Sequence, residues 1–94
     1  MSERRQFIII DPEDNVATAI VDLKAGDRVE DGVRVVVLAC DIPFGHKFAL
    51  ADVSEGEYII KYAAPIGRAA AVICRGDHVH VHNVRDIVDK VRKG

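Results

Sequence analysis

Three of the chain's four histidines lie in His78-Val79-His80-Val81-His82-Asn83; the fourth, His46, lies in Ile42-Pro43-Phe44-Gly45-His46-Lys47. Neutral imidazole ligates borderline metals, hydrogen-bonds to hydroxyls and moves protons near neutral pH. Strict alternation is a strand pattern, so the three histidines share one face and Val79 and Val81 share the other. Along a flat strand, rising about 3.3 Å per residue, His78 and His82 are roughly 13 Å apart. One ion held by all three rings would need a sharp bend. Two histidines at i and i+2 make half of a metal site, so an adjacent pair, His78 with His80 or His80 with His82, could supply two ligands. A lone histidine on an exposed strand is ordinary surface; three in alternation followed by Asn83 favour a site.

Other residues could serve the same chemistry. Pro43 and Gly45 make a rigid turn from which His46-Lys47 emerges as an anion-binding corner. Lys61, at a strand end ahead of Pro65 and Gly67, can bind a carboxylate, although a snorkelling surface lysine has the same pattern. Asp11-Pro12-Glu13-Asp14-Asn15 could offer a metal ligand, but turn formation accounts for it.

These groups need a small β scaffold. Ninety-four residues make one domain that buries only about two-thirds of its unfolded surface. Hydrophobic residues are 49% of the chain and aromatics 5%, and Val and Ile supply 24 of the 94 residues, which is β composition. A net charge of −2 with interspersed signs offers no basic face for nucleic acid. There is no apolar run long enough for a membrane span, and no secretory leader is expected. Cys40 and Cys74 lack a CxxC spacing and read as free, buried thiols of a cytoplasmic protein.

Three segments repeat one device: Leu23-Lys24-Ala25-Gly26-Asp27, Val53-Ser54-Glu55-Gly56-Glu57 and Ile73-Cys74-Arg75-Gly76-Asp77. Each reads as a turn with Gly at positive φ, followed by re-entry into a strand. Strands are expected over residues 7–10, 15–23, 33–39, 46–50, 57–62, 66–73 and 78–84. Ala17 and Ala19 also permit a helix in the second. The Val run at 33–39 looks buried on both faces. Ile87, Val88 and Val91 have helical spacing, which allows a short C-terminal helix.

Taken together, Asp14-Asn15-Val16-Ala17, Leu23 to Asp27, Ile42 to Leu50, Gly56 to Tyr62 with Ile66-Gly67, and Gly76 to Asn83 resemble the SAF domain of the altronate and galactarate dehydratase family. The resemblance covers about residues 7–84 and leaves 85–94 as a tail. The motifs around His46 and His82 are specific; the Gly-acid turns are shared with other SAF domains. After Lys61-Tyr62 the family often has Gly where this chain has Ala63.

The resemblance implies a mostly β, β-clip (SAF-like) single domain. It implies the small subunit of a metal-dependent sugar-acid dehydratase, completing the active site of a large subunit and inactive alone. The reaction would be a hydro-lyase elimination across C2 and C3, with a divalent metal of Fe or Mn type held mainly by the large subunit. On this reading His46, His80 and His82 are the catalytic candidates, and Lys47, Lys61, Tyr62 and Asn83 bind the sugar acid. The isolated chain is free to self-associate. Two alternatives share the pattern: the small subunit of a sulfolactate sulfo-lyase, and a non-catalytic carbohydrate- or protein-binding SAF module.

Overall fold

The computed structural model describes residues 6–30 and 34–85. Among them there is no helix, and all strand pairings are antiparallel. The strands are β1 (Phe7–Ile8), β2 (Val16–Ala19), β3 (Arg28–Glu30), β4 (Val35–Val37), β5 (Lys47–Ala49), β6 (Tyr58–Lys61), β7 (Ala64–Ala69), β8 (His78–Val79) and β9 (Val84–Arg85). A four-stranded sheet runs β1-β2-β5-β8; β3-β4 is a two-stranded ribbon; β6-β7-β9 is a three-stranded sheet.

Among the described residues the recurring turn occurs four times, not three. The further copy is Ile42-Pro43-Phe44-Gly45-His46. The glycines of all four, Gly26, Gly45, Gly56 and Gly76, have φ of 87–92°, a conformation open to Gly at little cost. Each turn docks on one residue in a strand or directly after it, in the same way. The Gly N–H donates to that residue's carbonyl, and that residue's N–H donates back to the carbonyl after the Gly. The dock is Leu38 for Gly26, Ala19 for Gly45, Ala69 for Gly56 and Ala49 for Gly76. The turns also pair with each other, through reciprocal backbone bonds between Leu23 and Ile42 and between Val53 and Ile73. Carboxylates lock the pairs: Asp22 accepts from Phe44 N–H, Asp41 from Ala25 N–H and Asp52 from Arg75 N–H.

Two apolar cores lie on the two faces of the β2-β5 pair. One gathers Phe7, Ala17, Ala19, Leu23, Val29, Val36, Leu38, Ile42, Phe48 and Leu50. The other gathers Val16, Ala49, Val53, Ile59, Ala69, Ile73 and Val79. Alternation along β2 and β5 sends neighbouring side chains to opposite cores. Phe48 is fully buried and meets Phe7 edge-on at 5.5 Å.

Several expectations need correction. β2 is a strand and not a helix, because Ala17 and Ala19 point into one core at the two-residue period of a strand. Among the described residues of the Val run, Val36 and Leu38 are buried while Val35, Val37 and Ala39 are exposed, since the β3-β4 ribbon has a single covered face. The histidine segment is not one strand to residue 84. It pairs only at His78–Val79, turns at residues 80–83 and resumes at β9. Val81 is therefore 81% exposed while Val79 is fully buried. Both cysteines are free, but Cys74 is exposed and Cys40 half-buried, because Cys74 sits on a turn. The proposed C-terminal helix lies outside the described residues.

Candidate functional site

His46 owes its position to its turn. In the three acidic copies, the side chain after the Gly folds back to accept from a backbone N–H. Asp27 caps Lys24, Glu57 caps Ser54 and Asp77 caps Cys74, at 2.8–2.9 Å. In the fourth copy the residue to be capped is Pro43, which has no N–H. An acid there would have no donor to bind. His46 stands in its place, and its ring is released to point elsewhere. Its backbone is held by bonds to Pro43 and Ala19.

The second half of the site arrives through Gly76. Its turn docks on Ala49, and β8 pairs with β5 in the register Lys47↔Val79, Phe48↔His78. Continuing that register places His46 opposite His80 and diagonal to His78. The ring centroids follow suit: His46–His80 is 4.2 Å, His46–His78 5.0 Å and His78–His80 5.4 Å, with planes within 14° of parallel. His46 Nδ1 and His78 Nε2 are 2.8 Å apart. Such a contact needs a proton on one ring and a lone pair on the other. His82 stacks on His78 at 5.2 Å and is itself exposed. The bend that the flat-strand geometry excluded is present, so the segment folds back on its own rings.

Asn83 makes that bend. Its side-chain oxygen accepts from His80 N–H and its amide nitrogen donates to the His78 carbonyl, at 2.9 and 2.8 Å. A side chain that bonds its own backbone in this way trades a ladder for a turn. Both ends of the Asn83 amide are thus engaged with backbone.

Burial holds the His78 ring below the ordinary imidazole pKa, aided by the nearby charges of His46, His82, His80 and Lys47. Burial also lowers His80, with His46, Lys47 and His82 adding to it. The lowering favours the neutral form of both rings, which carries a free lone pair. His78 is the ring that sequence reasoning named as a possible ligand but did not single out. The signal was present in the β5-β8 register, but the pairing of those strands could not be read from residue types.

Lys61 and Tyr62 occupy a different place. They lie at the tip of the β6-β7 hairpin, with Lys61 Nζ 3.7 Å over the Tyr62 ring. Tyr62 and Ala63 both have φ of 59°, the left-handed pair of a type I′ turn. The turn is held by Asp14, buried with its carboxylate accepting from Ala63 N–H at 2.8 Å. Asn15 bonds Tyr58 and Ile60 beside it. The hairpin tip is thus tied to the Asn15 end of β2, whereas His46 is tied to the Ala19 end. The structure brings together His46, His78, His80 and His82, with Lys47 adjacent in sequence, and holds Lys61 and Tyr62 apart from them.

Comparison with known proteins agrees with this architecture. Residues 5–87 match the altronate/galactarate dehydratase SAF domain. An altronate dehydratase of Escherichia coli (strain K12) is 49% identical over 80 residues, which are 85% of this chain and 16% of that protein. A galactarate dehydratase (L-threo-forming) of the same organism is 40% identical over 75 residues, 78% of this chain and 14% of that protein. The (2R)-sulfolactate sulfo-lyase subunit alpha of Chromohalobacter salexigens is 37% identical over 86 residues, 84% of this chain and 92% of that subunit. The chain therefore spans about one-sixth of the dehydratases it matches and nearly all of a lyase subunit. With its mostly β architecture and its two histidine motifs, it belongs to the SAF-domain family of the altronate/galactarate dehydratases.

Proposed function

We propose that this chain is the SAF portion of a sugar-acid dehydratase and that a large dehydratase subunit completes its active site. The observation that carries the reading is the convergence of His46 with His78 and His80 from separate turns onto one sheet edge. A relative matched over 92% of its own length bears the name of a subunit, which supports a two-chain enzyme. It also favours a second reading, elimination of sulfite in place of water, since the same build serves a lyase of that kind.

Dehydration of an aldonate removes the C2 proton to a base and the C3 hydroxyl as water, with a proton from an acid. The enol left behind becomes the 2-keto-3-deoxy acid. The acidity of C2 rises when a cation holds the neighbouring carboxylate. Lys47, whose charge reaches His78 and His80, suits that task. The imidazoles of His46, His80 and His82 suit proton transfer and contact with sugar hydroxyls. Asn83 serves by shaping the bend. Lys61 and Tyr62, at the other end of β2, meet the partner subunit or the far end of the acid.

The resemblance implies a divalent metal of Fe or Mn type. Three imidazole nitrogens on one edge are a donor set that fits Fe(II) and its borderline neighbours better than Mg or Ca. Such an ion, when bound, polarises a hydroxyl or carboxylate oxygen. The reading is tested by mixing this chain with the large dehydratase chain of its own genome and assaying altronate, galactarate and sulfolactate. Turnover of one of them is expected from the mixture alone, and His82→Ala should lower kcat by about 100-fold. Full activity of the large chain by itself, together with no effect of alanine at His46 or His82, would refute it.

A further inference from the structure

We infer that His46, His78 and His80 form a metal site on this chain itself, taking one borderline divalent cation with a coordination position left open. The inference deepens the dehydratase reading, since it seats that reading's metal on this chain, but it needs no turnover to test. Among the described residues these are the His, Cys, Asp or Glu side chains whose ligand atoms converge, all within 4.8 Å of one another. A cation about 2.0–2.1 Å from each nitrogen in a tetrahedral arrangement sets them about 3.4 Å apart. The His46–His78 contact, at 2.8 Å, has to open slightly and the remaining pairs close.

The backbone supplies the rigidity for this. His46 is pinned through Ala19, and the β8 turn through Ala49, so the rings need only rotate. Their near-parallel stacking is relieved by rotation about χ2, a broad and inexpensive torsion for histidine. The proton that the short contact requires moves to the outer nitrogen of its ring when the cation takes its place. An all-imidazole set selects Zn2+, Fe2+, Co2+ or Ni2+ over Mg2+ and Ca2+. Three protein ligands also leave a fourth position for water or a substrate oxygen, as catalytic sites do. His82 stacks on His78 but lies outside the converging group. It is left free to act beside the open position.

Titration of the metal-free 94-residue chain with Zn2+ and with Co2+ tests this. One equivalent per chain is expected, with visible Co2+ bands of a four- or five-coordinate ion. Alanine at His46, His78 or His80 should each weaken binding at least ten-fold, because changes outside the ligand set already cost about that much. His82→Ala should leave the affinity unchanged. Should an alanine variant fail to fold, the ring 15N resonances of the wild-type chain decide. Zn2+ should shift nitrogens of His46, His78 and His80 into the metal-bound range and leave His82 outside it. No saturable binding at about 100 µM metal, equal dependence on His82 and His46, or metal-bound shifts on only two of the three rings would each overturn the site.

Discussion

Asp14 is a buried carboxylate that holds a left-handed turn in place. Its burial pushes the pKa up, but N–H groups of Ala63, Tyr62, Asp11 and Ile10 outweigh that and hold it below the ordinary carboxylate value. The bonds matter because Ala63 carries a Cβ at φ 59°, where a non-Gly residue costs about 1–2 kcal/mol. The depressed pKa fixes the sign of the pH dependence. The unfolded chain binds the proton first as pH falls. The stabilisation from Asp14 is therefore fully present above about pH 4 and is lost as pH drops through the lower folded value. Asp14→Asn should be less stable than wild type at pH 7, and the gap should narrow progressively below about pH 4. Urea unfolding of both proteins from pH 7 to pH 2.5 measures it. A gap independent of pH would show that the charge on Asp14 contributes nothing to the turn.

The four docked turns look alike but differ in what surrounds their glycines, and substitutions can separate the two costs. Gly26 and Gly76 have nearly the same φ, 90° and 92°. A Cβ on Gly26 would meet nothing within 4 Å, whereas one on Gly76 would run into the Val37 carbonyl oxygen. Gly26→Ala should therefore cost only the backbone strain, about 1–2 kcal/mol. Gly76→Ala should add displacement of β4 and cost about 3 kcal/mol or more. Equal losses in denaturant unfolding would mean that the approach of Gly76 to β4 is not tight in solution. This level was the most readable in the sequence: Gly followed by an acid marked three of the turns and the strands that follow them. The copy that builds the site was hidden because Pro43 removes the donor that an acid would cap, and His46 replaces the acid. The histidine alternation also misled. Val79 and Val81 are identical in type, and only Asn83 bonding His78 and His80 makes one buried and the other exposed.

At the scale of the whole molecule, the histidine edge hangs between the two cores. Phe48, opposite His78, belongs to one core, while Val79, between His78 and His80, belongs to the other. Residue types disclosed a β-rich interior but not its division, since which apolar residue joins which core depends on strand order. The division bears on the site because the ring positions are set by local anchoring in both cores and not by overall stability. Val29 and Val79 provide the comparison: both are fully buried, but Val29 lies on β3, in the first core. Truncating either to alanine removes similar apolar volume and should cost about 2 kcal/mol. Only Val79→Ala should disturb the ring stacking of His46, His78 and His80, read as altered contacts between their ring protons in NMR spectra of the folded chain. Val29→Ala should lower stability as much and leave those contacts as they are. If both variants shifted the rings alike, the geometry of the edge would be a property of global packing. The docked turns around Gly45 and Gly76 would then be insufficient to hold the histidines together.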